Sequence, residues 1–409
     1  MKIKSEIKVF IMSCATYIVA GIFSTLTSAL AAYFAGDVNM TPGIMGIFFS
    51  MGGLLTALAF TIPGRLVDKI GAKKALIIIA VGELLAIGLF GLARSAVGCM
   101  IFLSINCLVT AMSVPCNTQM LKALNVDNPS KLLRINLIGQ QAAGMITAAT
   151  AAVLIEKFGL SWRQTFFVYF AISVVIIVIG LVFLSSVKID FRNVTVTKKN
   201  DDGSKQLAKA YKYTTPERNS CISLCLLYIG YMGVGIALSL WMPAYLQGKG
   251  FTGMQVSIPN TIGRFAQMAA YLVLPSIAAK MLKTTKVTPF AAACLIFAIF
   301  GIMVSPSLTV ISISRGLLAV VMGFISMHVQ SDLSFVAPHQ ATGRFSSTVL
   351  ACANAGGVIA VTLMGYLSQT SKLVMLLTFA ALAIIGAVMF IKPYKEISDL
   401  KASAAAENA

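Results

Sequence analysis

Acidic residues are scarce in this 409-residue chain: 14 Asp and Glu stand against 32 Lys and Arg, for a net charge of +18. Histidine and tryptophan occur twice each. The shortages exclude several classes. No GxxxxGK[ST] phosphate loop is present, so the pattern of a nucleotide-driven pump is missing. The eight cysteines lie in or beside apolar segments and show neither a disulfide framework nor a zinc spacing. Cys221 and Cys225 share a helix face, but no histidine is near to complete a metal site. No cofactor or metal is expected, and nothing points to an enzyme. The basic excess lies in short loops without an aromatic-rich basic module, so a nucleic-acid partner is not expected either.

What the chain has is apolar length. It is 58% hydrophobic and 11% charged, more apolar surface than a soluble protein of this size can hide. A bilayer span needs about 20 mostly apolar residues. Twelve such runs occur, at 9–35, 43–63, 74–93, 97–121, 132–155, 164–187, 219–246, 254–279, 287–304, 307–330, 345–368 and 373–391. Lipid offers no hydrogen bonds to the backbone, so the spans are helices, and the period-2 alternation of a membrane barrel is absent. The first run follows Lys2, Lys4 and Lys8, is too long for a signal-peptide core and is read as a retained span. The expected fold is an all-α integral membrane protein of 12 transmembrane helices.

Loop charge sets the orientation. With the N-terminus in the cytoplasm, the cytoplasmic segments carry 25 Lys and Arg and the external loops five: Arg94, Lys157, Arg163, Lys249 and Lys372. Arg264 and Arg315 lie inside spans. The one long, Lys-rich connection, Lys188 to Arg218, divides the spans six and six. The expected organisation is a six-helix half at 1–190, a cytoplasmic linker at 191–218, a second six-helix half at 219–392 and a cytoplasmic tail at 393–409. The halves echo each other at an offset of about 210 residues: "GRLVDKIGAKK" matches "PSIAAKMLKTTK", and Asn106 matches Arg315. Two pseudo-symmetric halves place a transport site at the midplane between them.

"GRLVDKIGAKKAL", Gly64 to Leu76, resembles the loop motif of the major facilitator superfamily (MFS), matching it at Gly64, Asp68, Gly71, Lys73 and Lys74, with Arg65 inside it. It falls between spans two and three on the cytoplasmic side, as in that family. With twelve spans and the central loop, the resemblance covers nearly the whole chain. It implies a secondary transporter whose Asp68 latches the halves in one conformation. The second copy has Ala279 at that position, which makes the latch one-sided. "LSWRQTFF", Leu160 to Phe167, is similar to the Trp-Arg-x-x-Phe start of span six in many members, and also reads as an interfacial anchor. Two departures weaken a drug-antiporter reading: Asn106 replaces the span-four arginine of many proton-coupled members, and "GQQAAGMITAA" in span five has no proline.

Residues three and four apart share a helix face. Span eight sets Ser257, Asn260, Arg264, Gln267 and Tyr271 on one face. Span four gives Asn106, Thr110, Ser113 and Asn117; span five gives Asn136, Gln140, Thr147 and Thr150. Span one gives Tyr17, Gly21, Ser24 and Ser28, and span eleven Ser347, Asn354 and Gly357. Spans three, six, nine and twelve have no such stripe, as the resemblance implies for outer scaffold helices. Small polar stripes also serve as glue between membrane helices. A stripe centred on arginine points instead to a cavity, because a mid-bilayer arginine costs about 2.5–3.5 kcal/mol on insertion scales. No acid lies at matching depth in the C-terminal half to pair with Arg264 or Arg315; Asp332 lies near the cytoplasmic end of span ten.

These residues predict a secondary transporter working by alternating access, carrying a small organic anion by proton symport or exchange. The expected substrate-binding residues are Arg264, Arg315, Asn260, Gln267, Tyr271, Asn106 and Gln140. An arginine in span eight also resembles the anion-binding arginine of oxalate–formate and monocarboxylate carriers. Glu83, the only acid near mid-membrane, is the proton-coupling candidate; low dielectric disfavours its charged form, and a packed, neutral side chain is its other reading. His328 and His339 read as ordinary loop-edge residues. The alternative function is a proton-driven exporter of drugs or metabolites. The expected setting is the inner (plasma) membrane, both termini cytoplasmic, as a functional monomer whose partners are the lipid bilayer, the substrate and a coupling proton.

Overall fold

The computed structural model describes residues 5–59, 70, 72–123, 129–187, 214–281, 287–336, 342–367, 373–378 and 380–384. No strand occurs among them. The helices are α1 (Ser5–Ala29), α2 (Ala31–Asp37), α3 (Pro42–Ala59), α4 (Ala72–Gly91), α5 (Ala96–Ala123), α6 (Pro129–Glu156), α7 (Trp162–Ser185), α8 (Thr215–Gly248), α9 (Gly253–Met281), α10 (Val287–Val304), α11 (Leu308–Val336) and α12 (Thr342–Leu367). A last helical stretch spans Leu373–Ile384. The described part of each of the twelve expected spans falls on one of these, α2 being a continuation of the first. The chain then turns at Asn39, whose φ of 55° suits asparagine, and Met40 N–H closes the turn on Ala35 O at 2.8 Å.

By length and apolarity alone, five described helices qualify as spans: those at Ile7–Ala29, Lys73–Gly91, Ala96–Ser113, Arg134–Glu156 and Trp162–Ser185. All five belong to the first half of the chain. In the second half the apolar runs are shorter, and in α9 the reason is visible, since Asn260, Arg264 and Gln267 interrupt it.

Lipid-facing and core faces separate as membrane packing requires. α4, α7, α10 and the last stretch present large apolar side chains outward, among them Leu85, Val175, Val182, Phe297 and Leu377. The resemblance assigned these helices to the outside. Inside the first half, Phe23, Phe34, Phe48, Phe90, Trp162 and Phe166 form one aromatic cluster joining α1 to α4 and α7. Within the second half α9 packs on α11 and α8 on α12; between halves α6 packs on α9 and α3 on α12.

"SWRQ" gives α7 its start. Ser161 Oγ accepts from Gln164 N–H at 3.2 Å, and Ser161 N–H donates to Gln164 Oε1 at 2.8 Å, a reciprocal capping box. The next two residues clasp the first half together. Arg163 pairs with Asp37 and donates from Nη2 to Ala93 O at 2.9 Å; Trp162 Nε1 donates to the same carboxylate at 3.1 Å. The hydrogen bonds from Arg163, then Trp162, hold the Asp37 carboxyl below its usual range. A lowered folded value means the clasp contributes above the unfolded value of about 3.9 and fades as pH falls through the folded one. Asp37→Asn is therefore expected to lower the melting temperature of purified protein at neutral pH. The gap to wild type should narrow as pH falls below about 3.9; a gap that does not change with pH would contradict the ion pair.

Candidate functional site

Ser257, Asn260 and Arg264 of the α9 stripe face the first half of the bundle, and Gln267 lies against Gly323 of α11. Arg264 Nη1 donates to Gln141 Oε1 of α6 at 2.9 Å. A glycine-sized gap admits the guanidinium. A Cβ on Gly144 would lie 3.2 Å from Arg264 Nε, 3.3 Å from its Cζ and 2.8 Å from Thr25 Oγ1 of α1. Arg264 thus reaches from α9 into the angle between α6 and α1. Along the same face Ser257 Oγ donates to Met254 O at 2.7 Å, Asn260 is buried, and Gln267 Nε2 donates to Tyr271 OH at 3.1 Å.

Arg315 enters from α11 and is 3% exposed. Its guanidinium lies on the backbone of α9, where a Cβ on Gly263 would come 2.8 Å from Arg315 Cζ and 3.0 Å from Nε. Gly263 immediately precedes Arg264, so the two arginines meet at the same turn of α9. The Nε of each is buried without an acceptor. The one ion pair among the described residues is Arg163–Asp37, on the other side of the first half, so no carboxylate there answers this pair.

Other expected site residues fall elsewhere. Asn106 lines a separate cavity of about 200 Å³ between the halves, with Ser24, Thr27, Phe23, Phe49 and Asn354 on its walls. Its Nδ2 is buried without an acceptor. Neither arginine lines this cavity. Gln140 lies inside the first half, where a Cβ on Gly21 of α1 would run into its backbone carbonyl. The residue that meets Arg264 is its neighbour Gln141, which sequence reasoning missed. A signal existed: Gln141, Gly144, Ala148 and Ala152 follow each other at helical spacing, and small residues mark where membrane helices approach closely.

Glu83 is fully buried on α4, and neither carboxyl oxygen has a partner. Its neighbour Gly82 packs against Val109 of α5. Of the loop motif, Lys73 is engaged: its Nζ donates to Val187 O at 2.7 Å, past the C-terminal end of α7, where cations suit exposed carbonyls. Lys74 is exposed. Gly64, Arg65, Asp68 and Gly71 lie outside the described residues, as do His339 and nearly all of the expected linker. Among the described residues no group of three metal-ligating side chains could hold a metal ion.

A sequence model of the Major Facilitator Superfamily matches residues 12–360. The chain belongs to that superfamily. It is a multi-pass membrane protein and a secondary transporter, not an enzyme. Among solved structures, the nucleoside transporter NupG superposes with a TM-score of 0.70 at 14% identity, covering 96% of this chain and 100% of its own. An aspartate-to-alanine mutant of NupG gives a TM-score of 0.66 at 14% identity, with 95% and 100% covered. At that identity the likeness establishes the fold alone. No curated protein matches the sequence.

Proposed function

We propose that this superfamily member carries a small organic anion, a carboxylate above all, held between Arg264 and Arg315. One observation carries the reading: a buried guanidinium from α11 and a half-buried one from α9 come to the same turn of α9, and each keeps a buried Nε without an acceptor. Buried cations need a counter-charge, and a planar carboxylate fits the fork of an arginine. Asn260, Gln267 and Tyr271 would supply neutral hydrogen bonds along the same face, with Gln141 from the first half; Asn106 borders the separate cavity and Gln140 packs against α1, so neither reaches this pair. The halves, 1–190 and 219–392, rock about this site, with the linker at 191–218, both termini in the cytoplasm and the monomer as the working unit. Loop charge supports that orientation in the plasma membrane.

Coupling to protons is assigned to Glu83, a buried carboxyl with no partner. Glu83→Gln is expected to abolish uptake driven by a proton gradient while substrate exchange without a gradient continues. Unchanged gradient-driven uptake would remove Glu83 from the coupling.

A second reading is a neutral, ring-bearing polar solute. The cavity of about 200 Å³ favours it, since Asn106, Asn354, Phe23 and Phe49 offer hydrogen bonds and ring faces without charge. NupG is described as a nucleoside transporter. A thermal-shift screen of purified protein against carboxylates, nucleosides, sugars and cationic drugs separates the readings. A carboxylate hit lost in Arg264→Ala supports the first; a nucleoside hit lost in Asn106→Ala and kept in Arg264→Ala supports the second. A cationic drug as the only hit would favour an exporter.

A further inference from the structure

Two helices from different halves meet where α6 ends and α9 begins, at the end of the bundle opposite the N-terminus. α9 starts with its own capping box. Thr252 Oγ1 accepts from Gln255 N–H at 3.2 Å, and Thr252 N–H donates to Gln255 Oε1 at 3.0 Å. That satisfies the third N–H of the helix and leaves the second, on Met254, to be met from outside. Glu156, the last residue of α6, meets it: Met254 N–H donates to Glu156 Oε1 at 3.1 Å. Tyr33 OH of α2 donates to the same oxygen at 3.4 Å. A negative charge at a helix N-terminus is favourable.

The fit depends on glycine. A Cβ on Gly253 would lie 2.6 Å from Glu156 Oε1 and would also strike Tyr33 OH. Below the contact lies a void of about 10 Å³, between Tyr33, Ala148, Ala152, Gly253 and Asn260. That holds about one water molecule. Another contact between halves at this end is as tight. A Cβ on Gly365 of α12 would come 2.9 Å from Gly46 Cα of α3.

We propose that Glu156 is a gating residue of the transport cycle, closing this end of the bundle by capping the N-terminus of α9 across the two halves. Alternating access requires contacts between halves at one end to part while the other end closes. Glu156 is exposed, so water can take over its hydrogen bonds when the halves separate. A group that caps α9 in one state alone shifts the balance of states toward the closed one by that difference. The proposal concerns gating, independent of which substrate Arg264 meets.

Ala148 lies under the contact and is 1% exposed. In an Ala148→Cys protein, labelling by a water-soluble maleimide, read by peptide mass spectrometry, reports opening at this end. Glu156→Ala and Gly253→Ala are each expected to speed labelling at least threefold. Glu156→Gln, which keeps an oxygen but loses the charge, should fall between these and the parent. Native Cys99 and Cys116 are fully buried and should stay unlabelled, which shows that the fold is intact. If they label in the alanine variants, the near-isosteric Glu156→Gln decides. Labelling of Ala148→Cys at the parent rate in the folded variants would overturn the proposal.

Discussion

Arg264→Ala is expected to weaken binding of an anionic substrate on the order of 10²–10³-fold, the equivalent of about 3–5 kcal/mol for breaking a buried charge pair. The same change should leave the melting temperature of the substrate-free protein level or higher. These two signs distinguish a binding arginine from a structural one. Without substrate, Arg264 donates one bond to Gln141 and faces a like charge on Arg315. Losing that charge-assisted bond costs about 1.5–3 kcal/mol, and relief of the guanidinium's desolvation and of the like-charge approach offsets it. A structural arginine would instead lower the melting temperature and leave the affinity of the surviving folded protein unchanged. Arg264→Lys keeps the charge but loses the planar fork, so its affinity should lie between wild type and alanine. Isothermal titration of purified protein, with a melting curve of each variant, measures both signs.

Gly356→Leu should abolish folded protein. A Cβ at Gly356 would sit 2.6 Å from Ile229 Cα and 2.7 Å from Ile229 O; one at Gly233 would sit 2.6 Å from Gly356 O. These neighbours are backbone atoms of α8 and α12, which no rotamer change can move aside. Glycines let membrane helices approach this closely, and a side chain at the crossing forces them apart. Overpacking typically costs about 1–3 kcal/mol, and a leucine set against backbone belongs at or above the top of that range. Fluorescence-detected size-exclusion chromatography should show aggregate in place of a monodisperse peak. Gly36→Ala is the control. A Cβ there meets nothing within 4 Å, so that variant should run as wild type. A monodisperse Gly356→Leu peak would contradict the close crossing of α8 and α12.

The twelve spans were legible because each is a mostly apolar run of about 20 residues set off by polar loops. The scaffold role of α4, α7 and α10 was legible from the lack of polar stripes. So was the spacing of Asn260, Arg264, Gln267 and Tyr271, since helical periodicity is local. What each residue meets was not legible. Arg264 finds Gln141 from 123 residues away, and Glu156 finds Met254 from 98. Nothing local encodes the pairing of two halves. Arg163 read as an interfacial anchor, yet its partner Asp37 comes from the far end of α2. Asn106 and Arg315 occupy matching places in the two halves, but one borders an uncharged cavity and the other lies on the α9 backbone. Packing therefore divides into two places what spacing had grouped as one site.

Counterflow in proteoliposomes tests the central claim most directly. Vesicles loaded with an unlabelled carboxylate and containing the wild-type protein should accumulate the labelled carboxylate transiently and saturably, and vesicles with Arg264→Ala should not. Equal counterflow in both, or saturable counterflow of a nucleoside with none of any anion, would contradict an anion held between Arg264 and Arg315.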